Sequence, residues 1–265
     1  MRKKRRGRVY LVGSGPGDPK LLTLRAFEVL KEKVDIVLYD RLVSSEVLAI
    51  LPERTRKINV GKMPNSKNKN QNEIERLMIS YAKRGERVAR LKGGDALFFS
   101  RGGHEARTLK RERIDFEIVP GITSALGATA YAGIPLTDRK YSSSVLIATG
   151  HEDDSKARSK KIDWSKIPSS IDTIVILMGV GRMQHIASEL IRGGLDSHTP
   201  LAIVERGTTE GQRTVLLTLQ DAADGVTLRR ISPPSVFVIG RVAGLAKSLN
   251  WRGGPVLSKA DLMSL

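Results

Sequence analysis

Apolar runs alternate with helical patterns along the first half of the chain. Five runs predict strands, because aliphatic residues cluster there between glycine, proline and charged residues: residues 9–12, 34–39, 57–60, 86–91 and 116–119. Apolar residues recurring every three or four positions predict helices between them, at residues 21–30, 45–51, 72–84 and 104–113. This alternation predicts a mostly parallel sheet with helices on both faces.

A change of composition marks the second half. Residues 124–132 are small and apolar and predict a closely packed helix. New strands follow at residues 144–149, 173–178, 200–204, 213–218 and 235–239, with helices near 184–192 and 220–226. We therefore expect an N-terminal α/β domain over residues 1–121, a C-terminal α/β domain over 122–252 and a peripheral tail over 253–265.

Composition narrows the classes of partner. The 265 residues carry a net charge of +17, which suits nucleic acid, an anionic membrane surface or a polyanionic small substrate. Aromatic residues are only 5% and are not interleaved with the basic runs, so a stacking platform for bases is not indicated. No apolar run approaches the roughly 18 residues that span a bilayer, and no secretory pattern follows the basic N-terminus. We expect a cytoplasmic protein with no nucleic-acid or membrane partner.

Metal and thiol chemistry are not indicated. The chain has no cysteine and four histidines, none at HxxxH spacing, so disulfides, Cys-ligated zinc and thiol catalysis are excluded and no metal site is expected.

Two glycine-rich loops follow predicted strands. Gly93 and Gly94 allow close approach of a ligand to the backbone, and Asp95 is either a helix N-cap or a ligand contact. The earlier loop, Gly13-x-Gly15-x-Gly17, with Asp40 after the next strand, is similar to a dinucleotide-binding start. Asp18 stands where that motif needs Gly or Ala, and Pro16 and Pro19 lack the N–H groups that would bind phosphate. A dinucleotide site is therefore disfavoured.

Seven ordered blocks carry a more specific resemblance: VYLVGSGPGDPKLLTLRA, IVLYDRLVS, VGK, RLKGGDALFFSRGG, VPGITSALGATAYAGIPLTDR, ILMGV and VERGTTEGQR. From Val9 to about Trp251 the chain resembles the tetrapyrrole methylase family. The resemblance implies two α/β domains, the first with a mostly parallel sheet and the second with a mixed sheet. It also implies S-adenosylmethionine bound in a cleft between them, S-adenosylhomocysteine as product, and a homodimer.

The resemblance also assigns roles to individual residues. It implies a proton-accepting Asp40 and a proton-donating Lys62. The implied cofactor contacts are Pro16, Gly93, Gly94, Asp95, Phe98, Thr123, Ser124, Met178 and Gly207. Arg41, Arg101 and Arg139 are candidates for binding substrate carboxylates in bidentate pairs, although each could equally be a solvated surface arginine.

The implied reaction is methylation of two pyrrole carbons of uroporphyrinogen III to give precorrin-2, on the path to sirohaem and corrinoids. The blocks YDRLVS and VGK favour this substrate. The alternatives are a family member that methylates a later corrin precursor or a macromolecule, and a non-enzymatic nucleic-acid-binding protein. Ala96 replaces a proline that is usual in the family, Asp138 replaces a histidine, and residues 63–73 depart from the usual pattern. These departures affect the expected details of substrate binding more than those of cofactor binding.

Overall fold

The computed structural model describes residues 7–61, 71–151, 161–225 and 227–264. The chain divides into two compact units, Met1–Thr123 and Ser124–Leu265, each with its own sheet and core. In the described parts of the chain, no helix is long and apolar enough to cross a membrane.

The first unit is built on a five-stranded sheet in which every strand pair is parallel. Its strands are β1 (Arg8–Gly13), β2 (Ile36–Tyr39), β3 (Arg56–Asn59), β4 (Arg87–Lys92) and β5 (Asp115–Val119), in the order β3-β2-β4-β1-β5. Its helices are α1 (Leu24–Glu28), α2 (Ser45–Ala49), α3 (Gln71–Lys83) and α4 (Gly102–Arg111).

Helices cover both faces of this sheet, because alternate residues of each strand point to opposite sides. On one face, Val12 and Leu91 pack with residues of α1 and α2. On the other, Leu11 and Val88 pack with residues of α3 and α4. The helix expected from residue 21 begins later, at Leu24. Thr23 is its N-cap, because the hydroxyl of Thr23 accepts a hydrogen bond from the N–H of Ala26.

The second unit contains a six-stranded mixed sheet. Its strands are β6 (Val145–Thr149), β7 (Thr173–Leu177), β8 (Pro200–Glu205), β9 (Arg213–Thr218), β10 (Ser235–Ile239) and β11 (Val256–Leu257), in the order β11-β9-β8-β10-β7-β6. Its helices are α5 (Ser124–Tyr131), α6 (Met183–Arg192), α7 (Leu219–Asp224), α8 (Ala246–Leu249) and α9 (Lys259–Ser264). The predicted fold class, with a parallel first sheet and a mixed second sheet, is confirmed.

The C-terminal residues that we expected to form a peripheral tail are part of the second unit. Strand β11 pairs in parallel with β9, and Leu262 of α9 is fully buried in the core. Only two residues pair in this strand, so the sequence pattern was too short to predict it. The segment is held by its packing against the sheet.

Candidate functional site

The carboxyl ends of all five strands of the first sheet meet at one edge, because the strands are parallel. Most of the predicted site residues of this unit follow those strands. Pro16 follows β1, Asp40 and Arg41 follow β2, Gly93, Gly94, Asp95 and Phe98 follow β4, and Thr123 follows β5. This edge is where an open α/β sheet usually binds its ligand.

The two glycine loops are joined directly. Gly15 and Gly94 exchange backbone hydrogen bonds of 3.1 and 2.7 Å, and their φ angles are +72° and +70°. A Cβ on Gly13 would lie 2.6 Å from the carbonyl oxygen of Gly94, and one on Gly121 would lie 2.4 Å from the same oxygen. The left-handed φ angles and the close approach both require glycine at this edge.

Asp95 holds this arrangement together. One of its carboxylate oxygens accepts hydrogen bonds from the N–H groups of Leu97 (2.8 Å) and Phe98 (2.9 Å). The other accepts from the N–H of Gly121 at 2.9 Å, in the loop after β5. Asp95 therefore closes its own loop and ties it to the neighbouring one. It is not the helix N-cap considered from the sequence, because α4 begins only at Gly102, with Arg101 in the N-cap position.

The loop after β4 also presents apolar side chains to solvent. Leu97 and Phe98 are 47% and 39% exposed, and Phe99, with φ +47°, packs edge to face against Phe98. A non-glycine residue in the left-handed region is uncommon and often marks a functional loop. These side chains form an open apolar surface that a bound ligand could cover.

The carboxylate of Asp40 is held by an ion-pair network whose other members, Arg90, Lys92 and Glu105, are buried. Arg90 of β4 donates to Asp40 at 2.5 Å and to the fully buried Glu105 at 3.1 Å. Lys92, two residues along the same strand, donates to the other oxygen of Glu105 at 3.1 Å. Asp40 itself remains partly exposed, with 32% of its side chain accessible. The network thus orients a carboxylate that still reaches solvent at the sheet edge.

Burial and neighbouring charge act in opposite directions within this network. Burial lowers the pKa of Lys92, and repulsion by Arg90 lowers it further, against the attraction of Glu105. Burial alone would raise the pKa of Glu105, but Lys92, Arg90 and a hydrogen bond from Gln71 hold it below its ordinary value. Glu105 is therefore ionised and paired.

Sequence reasoning did not single out Arg90, Lys92 or Glu105. A signal was present, because Arg90 and Lys92 occupy alternate positions of a largely buried strand and so share one face. Buried charges need partners, which predicts a carboxylate on the helices covering that face. The sequence could not say which one.

The three candidate arginines occupy different places. Arg41 follows β2, and Arg101 follows the loop after β4. Both arginines are exposed at the carboxyl edge of the first sheet.

Lys62 lies outside the described residues, so its predicted role as a proton donor stays a prediction.

Met178 and Gly207 lie at a corresponding edge of the second sheet. Strand β10 runs antiparallel to both β7 and β8, so β7 and β8 end at the same edge. Met178 follows β7 with φ +56° and is 50% exposed. Gly207 follows β8, and a Cβ there would lie 2.3 Å from the Cβ of Ala128 in α5. Ser124 begins α5, which packs against β7 and β10.

Arg139 is not brought to that edge. It precedes β6 and lines a cavity of about 540 Å³ together with Asp172, Gly240 and Arg241. These residues mark the opposite edge, where β6 and β7 begin and β10 ends. A five-residue strand spans about 16 Å, so the fold of the second unit separates Arg139 from Met178 and Gly207.

The chain is similar to known proteins over most of its length. The sequence matches the family Tetrapyrrole (Corrin/Porphyrin) Methylases over residues 8–223. The chain belongs to the tetrapyrrole methylase family. The resemblance drawn from the seven sequence blocks is confirmed.

Relatives within the tetrapyrrole methylase family match most of the chain. The Uroporphyrinogen-III C-methyltransferase of Bacillus subtilis (strain 168) is 43% identical over 97% of this chain and 98% of that protein. Siroheme synthase 2 of Aeromonas hydrophila is 46% identical over 93% of this chain, which spans about half (51%) of that longer protein. Uroporphyrin-III C-methyl transferase from Thermus thermophilus, solved in complex with S-adenyl homocysteine, is 41% identical, with a TM-score of 0.77 over 90% of this chain and 99% of that one.

Among the described residues, no group of three or more His, Asp or Glu side chains is arranged to hold a metal ion. The strand ends of the first sheet offer backbone groups, apolar side chains, the carboxylates of Asp40 and Asp95, and the exposed arginines Arg41 and Arg101.

Proposed function

We propose that this chain is an S-adenosylmethionine-dependent methyltransferase that methylates uroporphyrinogen III at two pyrrole carbons to give precorrin-2. The observation that carries the proposal is the carboxyl edge of the first sheet. There, two glycine loops are joined through Gly15 and Gly94, and the Asp40 carboxylate, held by Arg90, lies at the same edge. The similarity to the methyltransferase of Bacillus subtilis along almost the whole of both chains supports the choice of substrate.

The described residues suit the chemistry of the cofactor. The exposed apolar side chain of Phe98 lies on the glycine loop that is joined to Gly15, where it can pack against a nucleoside or the carbons beside the sulfonium sulfur. In the first unit the proposed contacts are Pro16, Gly93, Gly94, Asp95, Phe98 and Thr123. In the second unit they are Ser124, Met178 and Gly207. When bound, S-adenosylmethionine supplies an electrophilic methyl group, and no metal takes part.

The substrate carries eight carboxylates, and the proposal assigns their recognition to exposed arginines. Arg41 and Arg101 lie at the same edge as Asp40, so they are placed to bind carboxylates beside the reacting ring. Arg139 stays a prediction for this role, since it lies at the far edge of the second sheet from Met178 and Gly207. Part of the +17 net charge then serves a polyanionic small molecule.

Asp40 is proposed to accept the proton that leaves the pyrrole carbon after methylation. Its ion pair with Arg90 fixes the orientation of the carboxylate, and its partial exposure lets it reach the substrate. Lys62 is the proposed proton donor from the sequence block VGK. Positioning of the ring and exclusion of water are the remaining tasks, because a reduced pyrrole is itself electron-rich.

The proposal extends to the setting of the enzyme. We propose a homodimer located in the cytoplasm, with no nucleic-acid or membrane partner. The test of function is incubation of the purified chain with uroporphyrinogen III and S-adenosylmethionine, followed by mass analysis. Addition of two methyl groups supports the proposal. If uroporphyrinogen III gained no methyl group, but a later corrin precursor was methylated while S-adenosylmethionine was converted to S-adenosylhomocysteine, the function would be that of another member of the family.

A further inference from the structure

The loop after β8 is unusual in its backbone conformation. Arg206 and Thr208 have φ angles of +47° and +69°, and they flank Gly207. Residues that carry a Cβ persist in this left-handed region only where the surrounding structure holds them there. Contacts with other groups must therefore hold this loop in its conformation.

Both polar backbone atoms of Thr208 are bound by side chains, one from Gln212 of the same loop and one from Arg252 of the C-terminal segment. It is buried, with 2% exposure, and its N–H donates to Oε1 of Gln212 at 2.6 Å. Its carbonyl oxygen accepts from the guanidinium of Arg252 at 3.4 Å. Nε2 of Gln212 in turn donates to the carbonyl oxygen of Tyr131 at 3.1 Å. A buried backbone group needs such a partner, and here side chains supply it.

The same side chains connect the loop to the end of α5. The guanidinium of Arg252 lies 4.6 Å from the ring centroid of Tyr131, and Trp251 donates to the carbonyl oxygen of Ala130 at 2.9 Å. Trp251 and Tyr131 also pack edge to face, with centroids 5.3 Å apart. We call Tyr131, Gln212, Trp251 and Arg252 the Tyr131 cluster.

We propose that Gln212 and Arg252 are positioning residues that hold Gly207 in the geometry needed to bind the cofactor. The inference rests on the proposed function, which places Gly207 among the contacts of S-adenosylmethionine. Gly207 has no side chain to be held, so its position depends on the backbone of its neighbours. Thr208 is the neighbour whose two polar backbone atoms are bound by the cluster. The C-terminal segment that supplies Arg252 thereby gains a role in the site.

The first test is the affinity of Gln212→Ala for S-adenosylhomocysteine, measured by calorimetry. Truncation removes the Oε1 acceptor that holds the N–H of Thr208, so we expect about tenfold weaker binding, which corresponds to about 1.4 kcal/mol. Gln212→Glu keeps an acceptor for Thr208 and should bind more tightly than Gln212→Ala. Gln220→Ala is the matched control, because Gln220 is exposed and contacts Asp224 instead; its affinity should equal that of the wild type.

Arg252 is tested in the same way. Arg252→Ala should weaken binding by a smaller factor than Gln212→Ala, because its hydrogen bond to Thr208 is longer and Arg252 is the more exposed residue. Arg229→Ala, at an exposed arginine of the same unit, is the control. If Gln212→Ala does not fold, the affinities of Gln212→Glu and Arg252→Ala for S-adenosylhomocysteine test the inference instead.

Kinetics separate positioning from a merely structural role. A positioning role raises the Michaelis constant for S-adenosylmethionine and leaves turnover at saturating cofactor within about twofold of the wild type. Variants that melt earlier yet bind S-adenosylhomocysteine with wild-type affinity would overturn this inference and leave the proposed function standing. A wild-type chain that does not bind S-adenosylhomocysteine at all would overturn the proposed function itself.

Discussion

Replacing Glu105 by glutamine should destabilise the first unit strongly. The buried network contains two carboxylates, Asp40 and Glu105, and two cations, Arg90 and Lys92, so its charges balance. Glu105→Gln leaves one cation in excess, and removing one partner of a buried ion pair costs about 3–5 kcal/mol. At pH 7 the loss in the free energy of unfolding is at most about 5 kcal/mol, because beyond that cost Lys92 would release its proton. Releasing the proton costs about 1.36 kcal/mol for each pH unit below the ordinary lysine pKa of 10.5.

The assay is urea unfolding at pH 7, followed by far-UV circular dichroism. Tryptophan fluorescence is unsuitable as the only probe, because Trp164 and Trp251 both lie in the second unit. The matched control is Glu112→Gln, since Glu112 forms an exposed ion pair with Lys83 that solvent screens. Its midpoint should stay close to that of the wild type.

A second variant tests the charge argument itself. Combining Glu105→Gln with Lys92→Met restores the balance of one cation and one carboxylate, so the double variant should recover most of the lost free energy of unfolding. A single variant that loses less than about 1 kcal/mol, or a double variant no more stable than the single one, would refute the reasoning.

The pH dependence follows from the direction of the pKa shift of Glu105. Its pKa in the folded state lies below the unfolded value of 4.5, so the carboxylate contributes stability that is fully present above pH 4.5. That contribution is lost as the pH falls through the folded pKa. The stability difference between the wild type and Glu105→Gln should therefore narrow below pH 4.5.

Three further predictions concern the site. Gly94→Val should weaken the binding of S-adenosylhomocysteine and also lower the melting temperature, since φ at this position is +70°; calorimetry showing intact binding would make the loop only a turn. Asp40→Asn should bind the cofactor with near-normal affinity but transfer methyl at least about 10²-fold more slowly in single turnover, whereas lost affinity with normal transfer would assign Asp40 to the ribose. Arg41→Ala should raise the Michaelis constant for uroporphyrinogen III more than Arg139→Ala does, and the reverse order would contradict the assignment of substrate carboxylates to the edge of the first sheet.

The sequence by itself determined the elements and their class. Apolar runs of four to six residues separated by helical periods placed the strands of the first sheet to within one or two residues, as at β4 and β5. The pattern is clearest in β1 and β2, because these strands are buried and a parallel sheet covered on both faces favours nearly continuous apolar runs. The seven ordered blocks likewise identified the family from the sequence alone.

Tertiary structure alone decided which charged residues meet. Asp40, Arg90 and Glu105 are separated by up to 65 positions in the chain, and no local pattern pairs them. They come together because β2 and β4 are neighbours in the sheet and α4 packs on the face that carries Arg90. Pairing of this kind depends on strand order, which the sequence pattern leaves open.

The second unit shows the same division. The sequence placed Arg139 and Met178 in blocks of one family, but strand direction put them at opposite edges of the sheet. The residues after 252 had no visible pattern, yet two of them pair with β9 and Leu262 completes the core. Local sequence sets the conformation of a short segment only weakly. Its place is fixed by the apolar surface and the unpaired strand edge that the rest of the fold offers it.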